Sequence, residues 1–253
     1  MSDYNSQDLR ARAAEARGQA GVDIDQGLRS YMLGVYNYIA GALVITGIAA
    51  YGLFSAAFIE TEQGLQLTSL GASIYNSPIQ YVLMFAPLAF VLVLSFGINK
   101  LSASATQMLF WAFSAIMGLS LSYIFAVYQL GSITQVFLIT AIAFGGLSLY
   151  GYTTKRDLSA MGPFMVVGLI GIIVASIVNI FLASSALQFA ISVIGVLVFA
   201  GLTAWDTQKI KSMYNAAEDS AARTKKSVMG ALTLYLDFIN MFLFLLRLFG
   251  DRR

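Results

Sequence analysis

Seven apolar runs alternate with polar links along the chain, at Tyr31–Phe58, Ile79–Ile98, Gln107–Tyr128, Thr134–Tyr152, Gly162–Leu182, Leu187–Trp205 and Val228–Phe249. Each is long enough to cross roughly 30 Å of hydrocarbon at about 1.5 Å per helical residue. The pattern predicts seven membrane-spanning helices over residues 31–253, preceded by a polar tail over residues 1–30. The tail is rich in Ala, Arg, Asp and Gln, with a frayed helix expected at Ser6–Arg17. The first apolar run starts after residue 30 and is too long for a signal peptide. Most links are short, so sequential helices are expected to be antiparallel neighbours in one bundle.

Composition agrees with this pattern. The hydrophobic fraction is 58 % and the charged fraction 11 %, against about 25 % charge in a typical soluble chain. The class expected is therefore an all-α integral membrane protein in the lipid bilayer, and the long runs favour helices over a barrel. There is no cysteine and no histidine. Disulfides, Cys/His zinc sites, Ser-His catalysis and His-Glu-x-x-His metalloproteases are thereby excluded. No enzyme activity, bound cofactor or nucleic-acid partner is expected.

The net charge of +2 matters less than its distribution. Arg10, Arg12, Arg17 and Arg29 lie in the tail, Lys100 in the second link, and Lys155 and Arg156 in the fourth. Lys209, Lys211, Arg223, Lys225 and Lys226 lie in the sixth, while the first, third and fifth links hold no base. Only Arg247, Arg252 and Arg253 fall towards the other side. By the positive-inside rule the N-terminus is cytosolic and the C-terminus outside. A six-span alternative, with the last run re-entrant, ranks second because that run is full length.

Small residues at Ser114, Gly118 and Ser122 recur every fourth position, and Gly168, Gly171, Gly195 and Gly201 are similar candidates for close helix packing. Pro87 is expected to bend the second span. Tyr and Phe are read as interfacial and packing residues.

Of thirteen acidic residues, two fall within or at the edge of a run: Asp206 near the end of the sixth and Asp237 well inside the seventh. A carboxylate inside a bilayer costs at least about 2.5–3.5 kcal/mol on insertion scales, so it persists only with compensation. Asp206 can be hydrated or paired with Lys209 or Lys211. Asp237 can form a buried salt bridge or bond to Asn179, Asn240 or a tyrosine hydroxyl. Asp237 lies about 13 Å from the start of its run, while Asp206 is only one turn, about 5 Å, inside the interface expected near Lys209. They meet only if the seventh helix begins in the cytosol or the sixth enters a water-filled vestibule. Two carboxylates sharing one site cannot both ionise cheaply. Such a site holds a proton at low pH and binds a hard cation through oxygen at higher pH.

Three motifs carry a family resemblance: Gly151-Tyr152-Thr153-Thr154-Lys155-Arg156-Asp157-Leu158; Gly201-Leu202-Thr203-Ala204-Trp205-Asp206-Thr207-Gln208-Lys209-Ile210; and Gly230-Ala231-Leu232-Thr233-Leu234-Tyr235-Leu236-Asp237-Phe238-Ile239-Asn240. With them the chain, from about residue 30 to its end, resembles the bacterial branch of the transmembrane Bax inhibitor motif (Bax inhibitor-1) family. The resemblance implies a seven-helix bundle with its last helix central, in a bacterial inner membrane. It also implies a pH-sensitive calcium leak channel in which Asp206 and Asp237 sense pH and bind Ca2+ transiently, the calcium ion being cargo. In the family picture a base on the second helix latches the carboxylate of the last. Here the second run holds no Arg or Lys, and the nearest base is Lys100; Lys209 and Asn240 are further accessory candidates. Family members also regulate stress responses by protein contact, including restraint of a membrane-bound AAA protease, and that is the alternative reading. An aspartyl intramembrane protease is disfavoured, because the Gly-x-Gly-Asp pattern is absent.

Overall fold

The computed structural model describes residues 2–253, with side chains from Gln26 onward. Nine helices and one hairpin follow in order: α1 (Ser2–Ala57), β1 (Phe58–Thr61), β2 (Gly64–Leu67), α2 (Ser69–Tyr75), α3 (Ile79–Gly97), α4 (Ala103–Leu121), α5 (Ile124–Val127), α6 (Leu130–Thr153), α7 (Met161–Leu182), α8 (Ser185–Ser212) and α9 (Ser220–Phe249). Seven helical segments are long and apolar enough to span a bilayer, from Gln26–Ala57 to Ser220–Phe249. The expected tail helix and the first span are one continuous helix, α1. The first link folds into the β1–β2 hairpin and α2. Its turn places Gly64 at φ 104°, a conformation open to glycine, and its register pairs Thr61 with Gly64.

Helix starts are set by side-chain caps that occupy otherwise orphaned N–H groups. Ser102 Oγ accepts from Ala105 N at 3.1 Å, Ser184 Oγ from Leu187 N at 3.3 Å, and Asp219 Oδ1 from Ala222 N at 2.6 Å. The Asp219 cap starts α9 eight residues before the apolar run at Val228. Likewise α8 continues seven residues past Trp205 to Ser212. Polar Lys, Arg and Ala-rich turns are good helix formers, so hydropathy alone truncates both helices.

Helix α9 is the axis of the bundle. It packs on α8, α1, α6 and α4, whereas α3 lies on α4 and α7 lies on α8. Of the apolar window of α9, 72 % is buried, against 11 % in α3 and in α7. Tyr235, Phe238, Leu234, Met241 and Leu246 are enclosed on its inner faces. Phe113 meets Tyr235 edge-on at 5.3 Å, and Phe238 sits between Phe137 and Phe144, each at 5.4 Å. Outward-facing Ile48, Phe96, Ile142, Phe164 and Phe181 are exposed, as expected of a surface whose solvent is lipid.

Small residues set the close contacts. A Cβ on Gly118 would lie 2.3 Å from the carbonyl oxygen of Thr46, one on Gly195 would lie 2.7 Å from the Phe244 ring, and one on Gly201 would lie 2.6 Å from Met165 Sδ. Gly168 approaches Val198 in the same way. Gly171 does not, because nothing lies within 4 Å of its added Cβ. Ser114 and Ser122 are buried; Ser122 Oγ is 2.6 Å from the Tyr75 hydroxyl. Pro87 is buried inside α3, which remains one helix.

At the far end of α9 the chain terminus is tied down. Asp251 O accepts from Gln129 N at 3.0 Å, and Arg253 N donates to Val127 O at 3.0 Å. Arg252 and Arg253 lie over the rings of Tyr128 and Phe54.

Candidate functional site

The register of α8 against α9 decides where their acids fall. Gly230 packs on Ile210 and Gly195 on Phe244. Fifteen residues along α8 thus match fourteen along α9 in the opposite direction. Carried to the ends, this register leaves Ser220–Ser227 projecting beyond α8, about 12 Å of helix. The seventh helix therefore begins well outside its apolar run, which is one of the two conditions for the acids to meet. Asp206, nearly two turns inside α8, then falls opposite Leu234, within about one turn (about 5 Å) of Asp237 along α9.

The two carboxyl groups lie against each other across the α8–α9 interface, close enough for a side-chain hydrogen bond. Both are buried, Asp206 at 5 % and Asp237 at 4 % exposure. Ionised carboxylates only accept, so this bond requires one proton shared by the pair. Among the described residues Asp237 Oδ2 is buried with no hydrogen-bond partner.

The alternative partners lie elsewhere. Asn240 donates from Nδ2 to Leu236 O at 2.8 Å and lines a groove against α7. Asn179 donates to Gln188 Oε1 at 3.3 Å and accepts from Ser184 N at 3.1 Å, at the α7–α8 turn. Lys211 Nζ donates to Tyr152 O at 2.7 Å. Lys209 exerts an attractive field on Asp206, but its Nζ sits 4.8 Å from the Trp205 ring centroid. Lys100 is exposed in the turn after α3, beside Leu101, whose carbonyl accepts from Lys225 Nζ at 3.0 Å. No salt bridge reaches Asp206 or Asp237 among the described residues.

Two hydroxyl networks, not expected from the sequence, end on helix residues close in the chain to the two aspartates. Thr207 donates to Thr203 O at 2.7 Å, so at the 3.0 Å contact Ser148 must donate to Thr207. Tyr36 then donates to Ser148 at 2.7 Å. This one-way chain runs from a groove of about 720 Å3 between α1 and α6 to the residue after Asp206. On the other side Thr46 donates to Ser114 O at 2.9 Å and accepts from Tyr235 at 2.7 Å. Neither Thr207 nor Tyr235 shares a helix face with its neighbouring aspartate, so helical spacing in the sequence does not point to either network. Past Asp237 towards the end of α9, a cavity of only about 80 Å3 is lined by Phe125, Phe137, Ile239, Phe242 and other apolar groups around Thr46. Apolar side chains thus plug the bundle on the side of α9 that faces α1, α4 and α6.

Two carboxyl groups offer up to four oxygens, fewer than the six to eight that calcium takes. Among the described residues no third acid joins them. The donor set suits a proton or a passing hard cation better than a resident metal.

Fold and site together define an integral membrane protein: a seven-span helical bundle built around a central helix, with a buried acidic pair. The family described as inhibitor of apoptosis-promoting Bax1 matches residues 28–253, and the chain belongs to this Bax inhibitor-1 family. It is 49 % identical to the inner membrane protein YbhL of Escherichia coli (strain K12) over 230 residues, covering 90 % of this chain and 94 % of that one. A Rickettsia prowazekii protein is also 49 % identical over 230 residues, covering 90 % and 92 %. A Caulobacter vibrioides protein is 42 % identical over 258 residues and covers both chains fully.

Proposed function

We propose that this protein is a proton-sensitive calcium leak channel of a bacterial inner membrane, worked by Asp206 and Asp237. The observation that carries the reading is the contact between the two buried carboxyl groups across the α8–α9 interface, with no bonded counter-cation among the described residues. The inner-membrane assignment draws on the likeness to the Escherichia coli protein, and a cytosolic N-terminus on the distribution of Lys and Arg.

The gating sign follows from the charges. With one shared proton the pair bonds α8 to α9 beside the apolar plug, and the path is closed. Losing that proton leaves two negative charges in contact, which repel and offer four oxygens to a cation. Conduction therefore rises with pH. Neither acid needs the second-helix base of the family picture, which α3 lacks.

The test is calcium flux into proteoliposomes between about pH 6 and 8, for wild type, Asp206→Asn and Asp237→Asn. An asparagine amide donates to the remaining carboxylate at any pH, so each variant should conduct little and lose its pH response. Flux in either variant that matches wild type at every pH refutes the acidic pair as the working site. A folded wild type that carries no flux moves the assignment to regulation by contact with another membrane protein, such as a membrane-bound AAA protease.

A further inference from the structure

The motif Gly151–Leu158 takes no part in the acidic pair, and the structure gives it a separate role. Its second half crosses from α6 to α7 over the end of α8 and is held rigidly. Gln208 clamps it from below: Leu158 N donates to Gln208 Oε1 at 2.8 Å, and Gln208 Nε2 donates to Arg156 O at 2.8 Å. Within the link, Thr154 Oγ1 accepts from Arg156 N at 3.2 Å and Asp157 Oδ1 from Ser159 N at 2.9 Å. Those bonds from Ser159 hold the Asp157 carboxyl below its ordinary range.

Beneath the link lies a pocket of about 570 Å3, lined among others by Lys155, Arg156, Pro163, Trp205, Gln208 and Lys209. Lys155, Arg156 and Lys209 are exposed, and none of them forms an ion pair among the described residues. With Asp157 as the one acid lining it, the pocket has a surplus of two positive charges. Lys209 is steadied over the Trp205 ring, and that ring lies flat on Gly162, where an added Cβ would come within 2.2 Å of it. The neighbouring bases of the same bundle end are already engaged. Lys225 donates to Leu101 O at 3.0 Å, Arg223 to Glu218 O at 3.1 Å, and Lys226 pairs with Glu218.

We propose that this pocket binds the phosphate-bearing headgroup of an anionic phospholipid. A lipid, rather than a soluble phosphate, is indicated by what adjoins the cations. The pocket sits at the bundle end where α6 stops and α7 starts, with Trp205 in its wall, and such span ends with an aromatic ring are where headgroups lie. From Pro163 it opens onto the outer face of α7, where Phe164 is 72 % and Val167 67 % exposed. Acyl chains can lie along that face while the phosphate meets Lys155, Arg156 and Lys209.

The test uses the full chain in detergent, titrated with phosphatidylglycerol, with phosphatidylcholine of the same acyl chains, and with inorganic phosphate. Bound lipid is counted by native mass spectrometry and thermal unfolding is followed in parallel. Phosphatidylglycerol should bind at least about tenfold more tightly than phosphatidylcholine, and Lys155→Gln/Arg156→Gln should weaken it roughly 30-fold. Lys209→Gln, which changes the opposite wall of the pocket, should weaken it by several-fold, and Arg252→Gln/Arg253→Gln should leave it unchanged. Equal binding of the two lipids, or undiminished phosphatidylglycerol binding by the Lys155/Arg156 double variant, overturns the proposal. So does inorganic phosphate alone reproducing the thermal shift, which identifies a soluble-anion site instead.

Discussion

The phenol of Tyr235 donates a 2.7 Å hydrogen bond to the hydroxyl of Thr46, tying the central helix to α1 two residues before Asp237. Thr46 in turn donates to the carbonyl of Ser114 on α4, so three helices meet at one hydroxyl. Tyr235→Phe leaves a buried acceptor site on the Thr46 hydroxyl without its donor. It should lower stability by about 0.6–1.5 kcal/mol, in keeping with side-chain bonds inside membrane bundles. Thr46→Val strands the Tyr235 hydroxyl itself and should cost more, about 1–3 kcal/mol. Unfolding of both variants in mixed micelles ranks the two losses; a larger loss for the phenylalanine variant contradicts the direction of the donors.

Glycines on the inner and outer faces of α6 should respond in opposite senses. A Cβ on Gly151 would lie 2.2 Å from the carbonyl oxygen of Ala204, a backbone atom that cannot swing aside. Gly151→Ala should therefore force α6 away from α8, at about 1–3 kcal/mol. At Gly146 nothing lies within 4 Å. There alanine only improves helix propensity, and Gly146→Ala should be neutral or stabilising by up to about 1 kcal/mol. Thermal unfolding of the two variants side by side checks the contrast.

Gln208→Ala removes both bonds between α8 and the α6–α7 link. The Leu158 amide, which donates to Gln208 at 2.8 Å, then has no side-chain acceptor. Its hydrogen exchange should accelerate by about tenfold or more, with little change in the amides of α9. Exchange mass spectrometry on peptides covering residues 154–160 reads this directly; unchanged protection there means the link is held by other contacts.

Asp219→Ala deletes the cap that starts α9 ahead of its apolar run. The Ala222 amide, now 2.6 Å from Asp219 Oδ1, is left without that acceptor. The expected cost is about 1 kcal/mol, with faster exchange over Ser220–Ser227 and an undisturbed helix beyond Val228. Asp219→Asn should recover most of the loss, since asparagine caps nearly as well.

The span count, the all-α class and the identity of the two membrane acids were legible in the sequence, because each rests on local composition. A bilayer demands about twenty consecutive apolar residues per helix, and that demand is written one segment at a time. The same locality explains what was misjudged. Hydropathy ended α8 at Trp205 and began α9 at Val228, while the structure carries them to Ser212 and back to Ser220. An aspartate followed by Ser-Ala-Ala was the available capping signal at Asp219. The first link also folded further than its composition indicated, into the β1–β2 hairpin and α2.

Only the tertiary structure decided which side chains meet. Asp206 and Asp237 are thirty-one positions apart, and the sequence places them at unequal depths, one near the interface by Lys209 and one well inside its run. They come together because Gly230 settles on Ile210 and Gly195 on Phe244, a register set by side-chain volumes on two facing helices. Asn179 and Asn240 were equally plausible partners by composition, yet helical phase turns Asn240 towards α7, and Asn179 is held at the α7–α8 turn. The pocket of Lys155, Arg156 and Lys209 joins residues some fifty positions apart through the two bonds of Gln208. Segment hydrophobicity is a sum over neighbours in the chain and can be read from it. Register, helical phase and lateral pairing are settled by packing between segments, which no stretch of sequence expresses alone.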